Sequence, residues 1–393
     1  MTWFTSTPVS FEGGSDFFCR DSGLLCKGFQ SLGLSCKSVM PLPGYRGDQT
    51  DDLIRANYRD LEDSAWWRRA GAEKVVLYSW GSPRYRRVAE AVRDAGAKLF
   101  VNIDSNGIVS PIASPSLYWR ALWGSSVRKR GLLLGTISAA LRSLVHLVYH
   151  PLMFEPGRVA HLRAATAIGC VSPGALSLWR RWARIYAPDL AERMHLVPHP
   201  VLDGMKYDPS VEKRDIVIAV GRWDDEEQKR PALLADTISA AAARRNSTEF
   251  HIVGDPGPVL SAWHEKLPDG IRERVHLLGR VAHTDLPGYL LQSRVGLCTS
   301  SWEGFHSVSA EALCAGASIV APLREELNSM MWFVSRDSGR LSTEDSAAGL
   351  AGTLLLELEA WDRGERNPES ISTHWRSILS ASAVAGRIRK LLE

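Results

Sequence analysis

The feature that most constrains this chain is a pair of strand–helix alternations separated by one stretch rich in Pro, Gly and charge. In the first half, Lys74–Ser79 (KVVLYS) and Lys98–Ile103 (KLFVNI) are apolar runs of strand length. Between them RYRRVAEAVRDAGA has helical spacing and ends at Gly96. Ala167–Ser172 (AIGCVS) and Met194–Pro198 (MHLVP) read as two further strands. After Pro198–Arg214 the alternation restarts: Asp215–Val220 as a strand, a helix over Pro231–Arg244, then Phe250–Val253, Val275–Leu278, Val295–Thr299 and Ser318–Ala321 as strands. Alternation of this kind predicts parallel sheets with helices on both faces. At 393 residues the chain is longer than a single core usually supports. The expectation is therefore α/β, with two Rossmann-like doubly wound domains facing each other across a cleft. The domains are expected at 1–200 and 215–371, with a linker at 201–214 and a final helical segment at 372–393.

Composition narrows the class. With 45% hydrophobic and 23% charged residues, and no low-complexity tract, the chain is predicted to be a soluble globular protein. The six cysteines form no Cys-x-x-Cys pair and have no histidine at zinc-finger spacing, which points to free thiols in a reducing compartment. The opening residues lack a basic region followed by a long apolar one, so no signal peptide is expected and the cytoplasm is the predicted location. Charge is uneven: residues 1–200 carry 25 Lys+Arg against 16 Asp+Glu, the remainder 22 against 28. Between Ser105 and Pro188 ten basic residues accompany one acid, Glu155. That asymmetry suggests an anionic partner for the first half.

The strongest motif is Thr299–Gly316, TSSWEGFHSVSAEALCAG. A strand ends at Thr299, a loop holds Glu303, Gly304, Phe305 and His306, and a helix starts near Ser307 and stops at Gly316. A helix N-terminus presents free N–H groups and the positive end of its dipole, which suits a diphosphate. Glu303 and Glu311 are placed to accept hydrogen bonds from sugar and ribose hydroxyls. A second motif, Val220–Lys229 (VGRWDDEEQK), puts Arg222 just after a strand and Lys229 just before a helix. Two such cations stabilise a departing diphosphate. The acids between them are expected to bend away.

Together these segments, from Ile216 to Pro322, resemble the donor domain of glycosyltransferase family 4 and its relatives. The family's Gly-Arg…Lys phosphate grip matches Gly221, Arg222 and Lys229, and its Glu-x7-Glu motif matches Glu303 and Glu311. A family turn matches Val253-Gly254-Asp255, and Leu278–Leu286 (LGRVAHTDL), with Arg280 and Val281, matches a further segment. The resemblance implies the GT-B fold, a nucleotide-diphosphate sugar as donor, and a donor site that also takes in Phe305, His306, Ser307 and Val308. It implies that Glu303 contacts the transferred sugar and Glu311 the ribose, and that the final helix crosses back to the first domain. In the first half, Glu12-Gly13-Gly14-Ser15 resembles the family's glycine loop near the donor phosphates, where a Cβ would obstruct approach. Asp104, after KLFVNI, stands where relatives often carry an acceptor-side residue; the alternative is a cap or turn. His199 and Pro200 replace the usual Asn-Gly, and no ligand role is assigned to them.

Two other departures stand out. His306 replaces a usual Gly, and Arg230 replaces the Gly that often follows the matched Lys, leaving either cation as the phosphate ligand. No Asp-x-Asp triplet occurs, and no metal or cofactor is expected. The reaction implied is transfer of a sugar from a UDP- or GDP-like donor to an acceptor hydroxyl with retention, by front-face displacement. A nucleotide-sugar epimerase, a phosphorylase and a non-catalytic scaffold partner are the alternatives. Nucleic acid is not an expected partner. Residues Tyr118–Met153 combine Tyr118, Trp119 and Trp123, the basic run Arg128-Lys129-Arg130, and an apolar stretch from Leu132. Leu134, Ile137, Leu141, Leu144 and Val148 share one helical face, and Ser138, Arg142 and His146 another. Arg142 argues against a span. Two readings stay open: an amphipathic helix on an anionic membrane surface with a lipid-linked acceptor, at the inner face of the membrane, or an ordinary packed helix.

Overall fold

The computed structural model describes residues 2–9, 15–19, 21–41 and 51–393. The chain divides into two compact units, Met1–Pro200 with Ala381–Glu393, and Val201–Ser380. The described residues of the first unit form a seven-stranded sheet: β1 (Thr2–Ser6), β2 (Ser35–Pro41), β3 (Leu53–Ala56), β4 (Lys74–Tyr78), β5 (Lys98–Ile103), β6 (Ala167–Cys170) and β7 (Met194–Leu196). Their spatial order is β3-β2-β1-β4-β5-β6-β7, and every pairing is parallel. Val75, Val76 and Leu77 of β4 are fully buried, as a strand covered by helices on both faces requires. Central β1 carries no comparable apolar run, because Thr5 and Ser6 are buried within it. The Thr5 hydroxyl finds its partner in the Ser38 hydroxyl of β2, 2.8 Å away.

The second unit holds β8 (Arg214–Val220), β9 (Glu249–Val253), β10 (Val275–Gly279), β11 (Ser293–Leu297), β12 (Ser318–Pro322) and β13 (Gly339–Ser342). The order is β10-β9-β8-β11-β12-β13, again all parallel, with the order reversing between β8 and β11. Alternate residues Val217 and Ala219, and Phe250 and Ile252, face one core with Leu234 and Ile238 of the helix Pro231–Ala242. Leu350, Leu354 and Leu358 of the helix Ala347–Asp362 complete it.

The final segment is two helices, Pro368–Leu379 and Ala381–Leu392, where the sequence pattern predicts one. Ser380 separates them with extended backbone (φ −57°, ψ 148°), because it bridges Val201 beside it. Within the first unit, Val384, Ala385, Ile388 and Leu392 pack into the core with Leu25 and Phe29. Gly28 permits this: a Cβ there would lie 2.3 Å from the Ala381 carbonyl oxygen.

Candidate active site

In the second unit the chain leaves β8 at Val220 and β11 at Leu297, the two strands between which the sheet order reverses. Ligands of doubly wound sheets bind outside the carboxyl ends at such points. Gly221 and Gly254, after β8 and β9, meet backbone to backbone: a Cβ on Gly254 (φ 111°) would sit 1.9 Å from the Gly221 carbonyl oxygen. Only glycine fits there.

Lys229 and Glu303, 74 residues apart, form an ion pair with Nζ 2.5 Å from Oε1. The other carboxylate oxygen accepts from Gln228 Nε2 at 3.0 Å. Both Glu303 oxygens therefore have nitrogen donors. Arg222 is 74% exposed and, among the described residues, reaches Gln228 Oε1 at 3.5 Å and Asp225 at 3.8 Å. Asp225 turns its carboxylate onto the Gln228 N–H as the cap of the short helix Glu226–Lys229, while Asp224 and Glu226 are exposed.

Arg230 and Lys229 take different partners. It has a left-handed backbone (φ 53°), which explains why glycine suits this position. Its guanidinium donates to the carbonyls of Thr299 and Ser300 and pairs with Asp345 at 2.8 Å. Arg230 thus braces the loop after β11, and Lys229 faces Glu303. Arg324 adds a second brace through the Ser301 carbonyl and Asp345.

The helix Ser307–Cys314 begins with His306 as its cap. His306 Nδ1 accepts from the Ser309 N–H at 3.3 Å and lies 2.7 Å from the Ser309 hydroxyl. Ser309 and Ala310 N–H also reach the His306 carbonyl, so the N–H groups of Ser307 and Val308 are those with no carbonyl partner inside the helix. With Nδ1 accepting, Nε2 carries hydrogen and lies 4.0 Å from Glu303. Burial opposes a charge on His306, but Cys298 and then Glu303 outweigh it and raise its pKa. Phe305 is buried edge-on to Phe333, 5.2 Å between centroids, which anchors the loop around Gly304.

Glu311, buried one turn into the helix, accepts from or pairs with His283 Nε2 at 3.0 Å. Arg280 is exposed and pairs with exposed Asp255 at 3.5 Å; Val281 is half-buried beside it. The structure thus joins Lys229, Glu303 and the helix start, brings Gly221 onto Gly254 after the neighbouring strands, and leaves Arg222, Asp255 and Arg280 exposed. Gln228, His283 and the Arg230–Asp345 brace were not among the predicted site residues. Only the structure pairs them, because each acts through a partner distant in sequence.

Gly13 and Gly14 lie outside the described residues. In the first unit, Asp104 follows β5 and pairs with His199 Nε2 at 3.1 Å. His199 stacks on Tyr78 at the end of β4, 5.4 Å between centroids. Burial works against the Asp104 charge, yet His199 and a hydrogen bond from Trp80 hold its pKa below the usual carboxylate range. Trp80 itself has a positive φ of 54°, a conformation that costs energy in a bulky residue.

The helices Pro115–Arg130 and Leu132–Tyr149 form an antiparallel hairpin joined by Gly131. Trp123 Nε1 donates to the Thr136 hydroxyl, Arg130 to Ser138, and the Tyr118 hydroxyl meets His146 and His150. Gly135, Ser138 and Ala139 of the second helix are buried, and a Cβ on Gly135 would meet Val127 Cα at 2.4 Å. Its large residues Leu132, Leu133, Leu134, Ile137, Leu141, Leu144, Val145, Leu147 and Val148 are 46–75% exposed. Small and polar groups face inward and apolar ones outward, the reverse of a water-soluble hairpin. The acid of this region, Glu155, is buried with Arg158 (2.7 Å) and the Trp182 indole (2.8 Å).

The second unit and these motifs are similar to a known family. Residues 214–355 match the family Glycosyl transferases group 1. The chain also shares its fold with solved glycosyltransferases. HepE of Anabaena, in complex with UDP and glucose, superposes with TM-score 0.62 at 15% identity over 99% of both chains. The lipopolysaccharide outer core galactosyltransferase WaaB does so with TM-score 0.61 at 14% identity over 100% of this chain and 99% of its own. A glycosyltransferase from Rickettsia africae reaches 0.63 at 11% identity over 100% and 97%. No curated protein sequence matches the chain. The chain therefore shares the GT-B fold of these structures, and the family match covers residues 214–355.

Proposed function

We propose that the protein transfers a sugar, with retention of configuration, from a nucleotide-diphosphate sugar such as a UDP- or GDP-sugar to an acceptor hydroxyl. The observation that carries this is the Lys229–Glu303 pair set beside the glycine contact and the open N–H groups of Ser307 and Val308. Backbone N–H groups and a helix N-terminus suit a diphosphate, and Lys229 adds positive charge without a divalent ion. Glu303 has a donor on each oxygen, which makes it a poor nucleophile and a good acceptor for sugar hydroxyls once the donor draws Lys229 away. That favours front-face displacement, in which the leaving phosphate oxygen takes the acceptor proton. Glu311, held by His283, is assigned to the ribose. The Asp104–His199 pair of the first unit is the candidate for binding acceptor.

A panel of nucleotide sugars in a thermal-shift assay tests the donor assignment, because selective binding raises the unfolding midpoint. The anomer of the product, read by NMR, tests retention. Donor epimerised alone would show an epimerase, phosphate dependence a phosphorylase, and binding without turnover a scaffold. No stabilisation by any nucleotide sugar would sink the reading.

We place the acceptor at the inner face of a membrane. Supporting this is the hairpin Pro115–Tyr149, whose apolar residues face out while its polar groups pair inside, the arrangement helices adopt against lipid. The helical stretch Leu132–Arg163 is long and apolar enough to cross a membrane, but Arg142 near its middle favours a hairpin lying in the interface. Lys129, Arg130 and Arg142 are exposed and suit anionic headgroups.

A further inference from the structure

At the other ends of the second unit's strands, β9 and β10 bring together three side chains with no part in donor binding. The two strands pair in parallel with His251 opposite His276. Glu249 lies two residues before His251, and alternation along a strand puts both on the same face. The core residues Phe250 and Ile252 occupy the opposite face. Glu249 Oε2 is 3.3 Å from His251 Nε2 and 3.6 Å from His276 Nε2, and one ligand atom from each residue lies within 4.8 Å of the other two.

These spacings are those of a metal site. Donors held tetrahedrally at about 2.0–2.1 Å from an ion lie roughly 3.3–3.4 Å from one another. One contact, at 3.3 Å, already meets that figure, and a small rotation of the half-exposed His276 shortens the 3.6 Å contact and brings its nitrogen toward His251. Arg214 holds the remaining oxygen, Oε1, at 2.9 Å, which orients the carboxylate and leaves Oε2 to the ion. Two imidazoles and one carboxylate suit zinc, as they suit other first-row divalent ions, and disfavour magnesium and calcium.

We propose that Glu249, His251 and His276 bind one Zn²⁺, with water as the fourth ligand, and that the ion staples edge strand β10 to β9. The edge strand has β9 as its one neighbour in the sheet, so a cross-strand bond there acts on stability. Gly254 and Gly279, which follow at the carboxyl ends, separate this site from the donor loops.

The test uses the full chain after chelation and buffer exchange, titrated with ZnCl2 by calorimetry and followed by thermal shift. One equivalent is expected to bind and raise the midpoint. Co²⁺ in its place should show visible absorption of tetrahedral intensity. His251→Ala and His276→Ala should each weaken the binding at least about tenfold and abolish the cobalt band. His276 is partly exposed, so its variant should keep the wild-type circular dichroism and donor-induced thermal shift. Zinc binding that is equal in wild type and both variants, for instance at the cysteines, overturns the proposal. So does the absence of one-equivalent binding in wild type.

Discussion

Lys229 Nζ and Glu303 Oε1 meet at 2.5 Å, with side chains 13% and 9% exposed, and tie the loop after β8 to the loop after β11. In so sheltered a pair, removing one partner leaves the other charge poorly compensated. Their meeting also couples two roles that the sequence motifs suggest separately, phosphate binding and sugar contact. Donor binding on this view redistributes one existing interaction.

Lys229→Ala is therefore expected to weaken donor binding and to lower kcat/KM by about a hundredfold or more. Glu303→Gln keeps the shape, loses the charge, and should depress kcat more than donor affinity. Steady-state kinetics with separate donor titrations check both. Wild-type parameters in the two variants would remove this pair from the site.

Glu311→Gln should raise the donor Kd by roughly tenfold, since an ionised acceptor of ribose hydroxyls becomes a weaker and partly mismatched one. His283→Ala should act in the same direction and to a smaller extent, by freeing the carboxylate that His283 holds. Calorimetry with the nucleotide diphosphate alone is enough to read this. An unchanged Kd in Glu311→Gln would place the ribose elsewhere.

Turnover is expected to survive exhaustive chelation, because Lys229 and the helix N-terminus supply the positive charge at the diphosphate. Chelation should still lower the unfolding midpoint of zinc-loaded protein, so the two readouts separate. Loss of activity under EDTA that magnesium or manganese restores would show that the phosphate site needs an ion.

The hairpin should bring the protein down with anionic vesicles in a sedimentation assay, less at high salt. Reversing Arg128, Lys129 and Arg130 to Glu should release it, and so should Leu141→Ser with Leu144→Ser at the exposed face. Protein that stays in solution with anionic vesicles at low salt would point to a soluble acceptor.

Acid should weaken the first unit through His161. This residue is fully buried, with Nε2 2.8 Å from the Ser79 hydroxyl, and burial lowers its pKa to about 4. The unfolded chain binds the proton more readily, with a pKa near 6.5. The stability contributed by the neutral ring is complete above that value and is lost as pH falls from 6.5 to 4. The loss across that window is about 3 kcal/mol, from 1.36 kcal/mol per unit. Urea unfolding at several pH values should show this slope in wild type and a flatter one in His161→Gln. Parallel slopes would assign the acid sensitivity to other groups.

Much of the second unit was legible because its strands are apolar runs bounded by turn residues, and because the donor motif lies within a few residues of chain. Arg230 shows the limit of that reading. Its cationic side chain suggests a phosphate ligand, and nothing local in the chain reveals its left-handed backbone or its three oxygen partners, two of them some 70 residues away. Strand β1 escaped notice because its buried Thr5 is satisfied by Ser38, a partner that only strand pairing provides. In the hairpin, helical spacing located the apolar face of Leu134, Ile137 and Leu141. Which way that face points was settled by Gly135, Ser138 and Ala139, small enough to let the two helices close and turn the leucines outward. Local pattern, set by period and propensity, thus determined where strands, helices and the glutamate motif fall. Tertiary structure decided which charges meet, because ion pairs such as Lys229–Glu303 depend on how the sheet orders its strands.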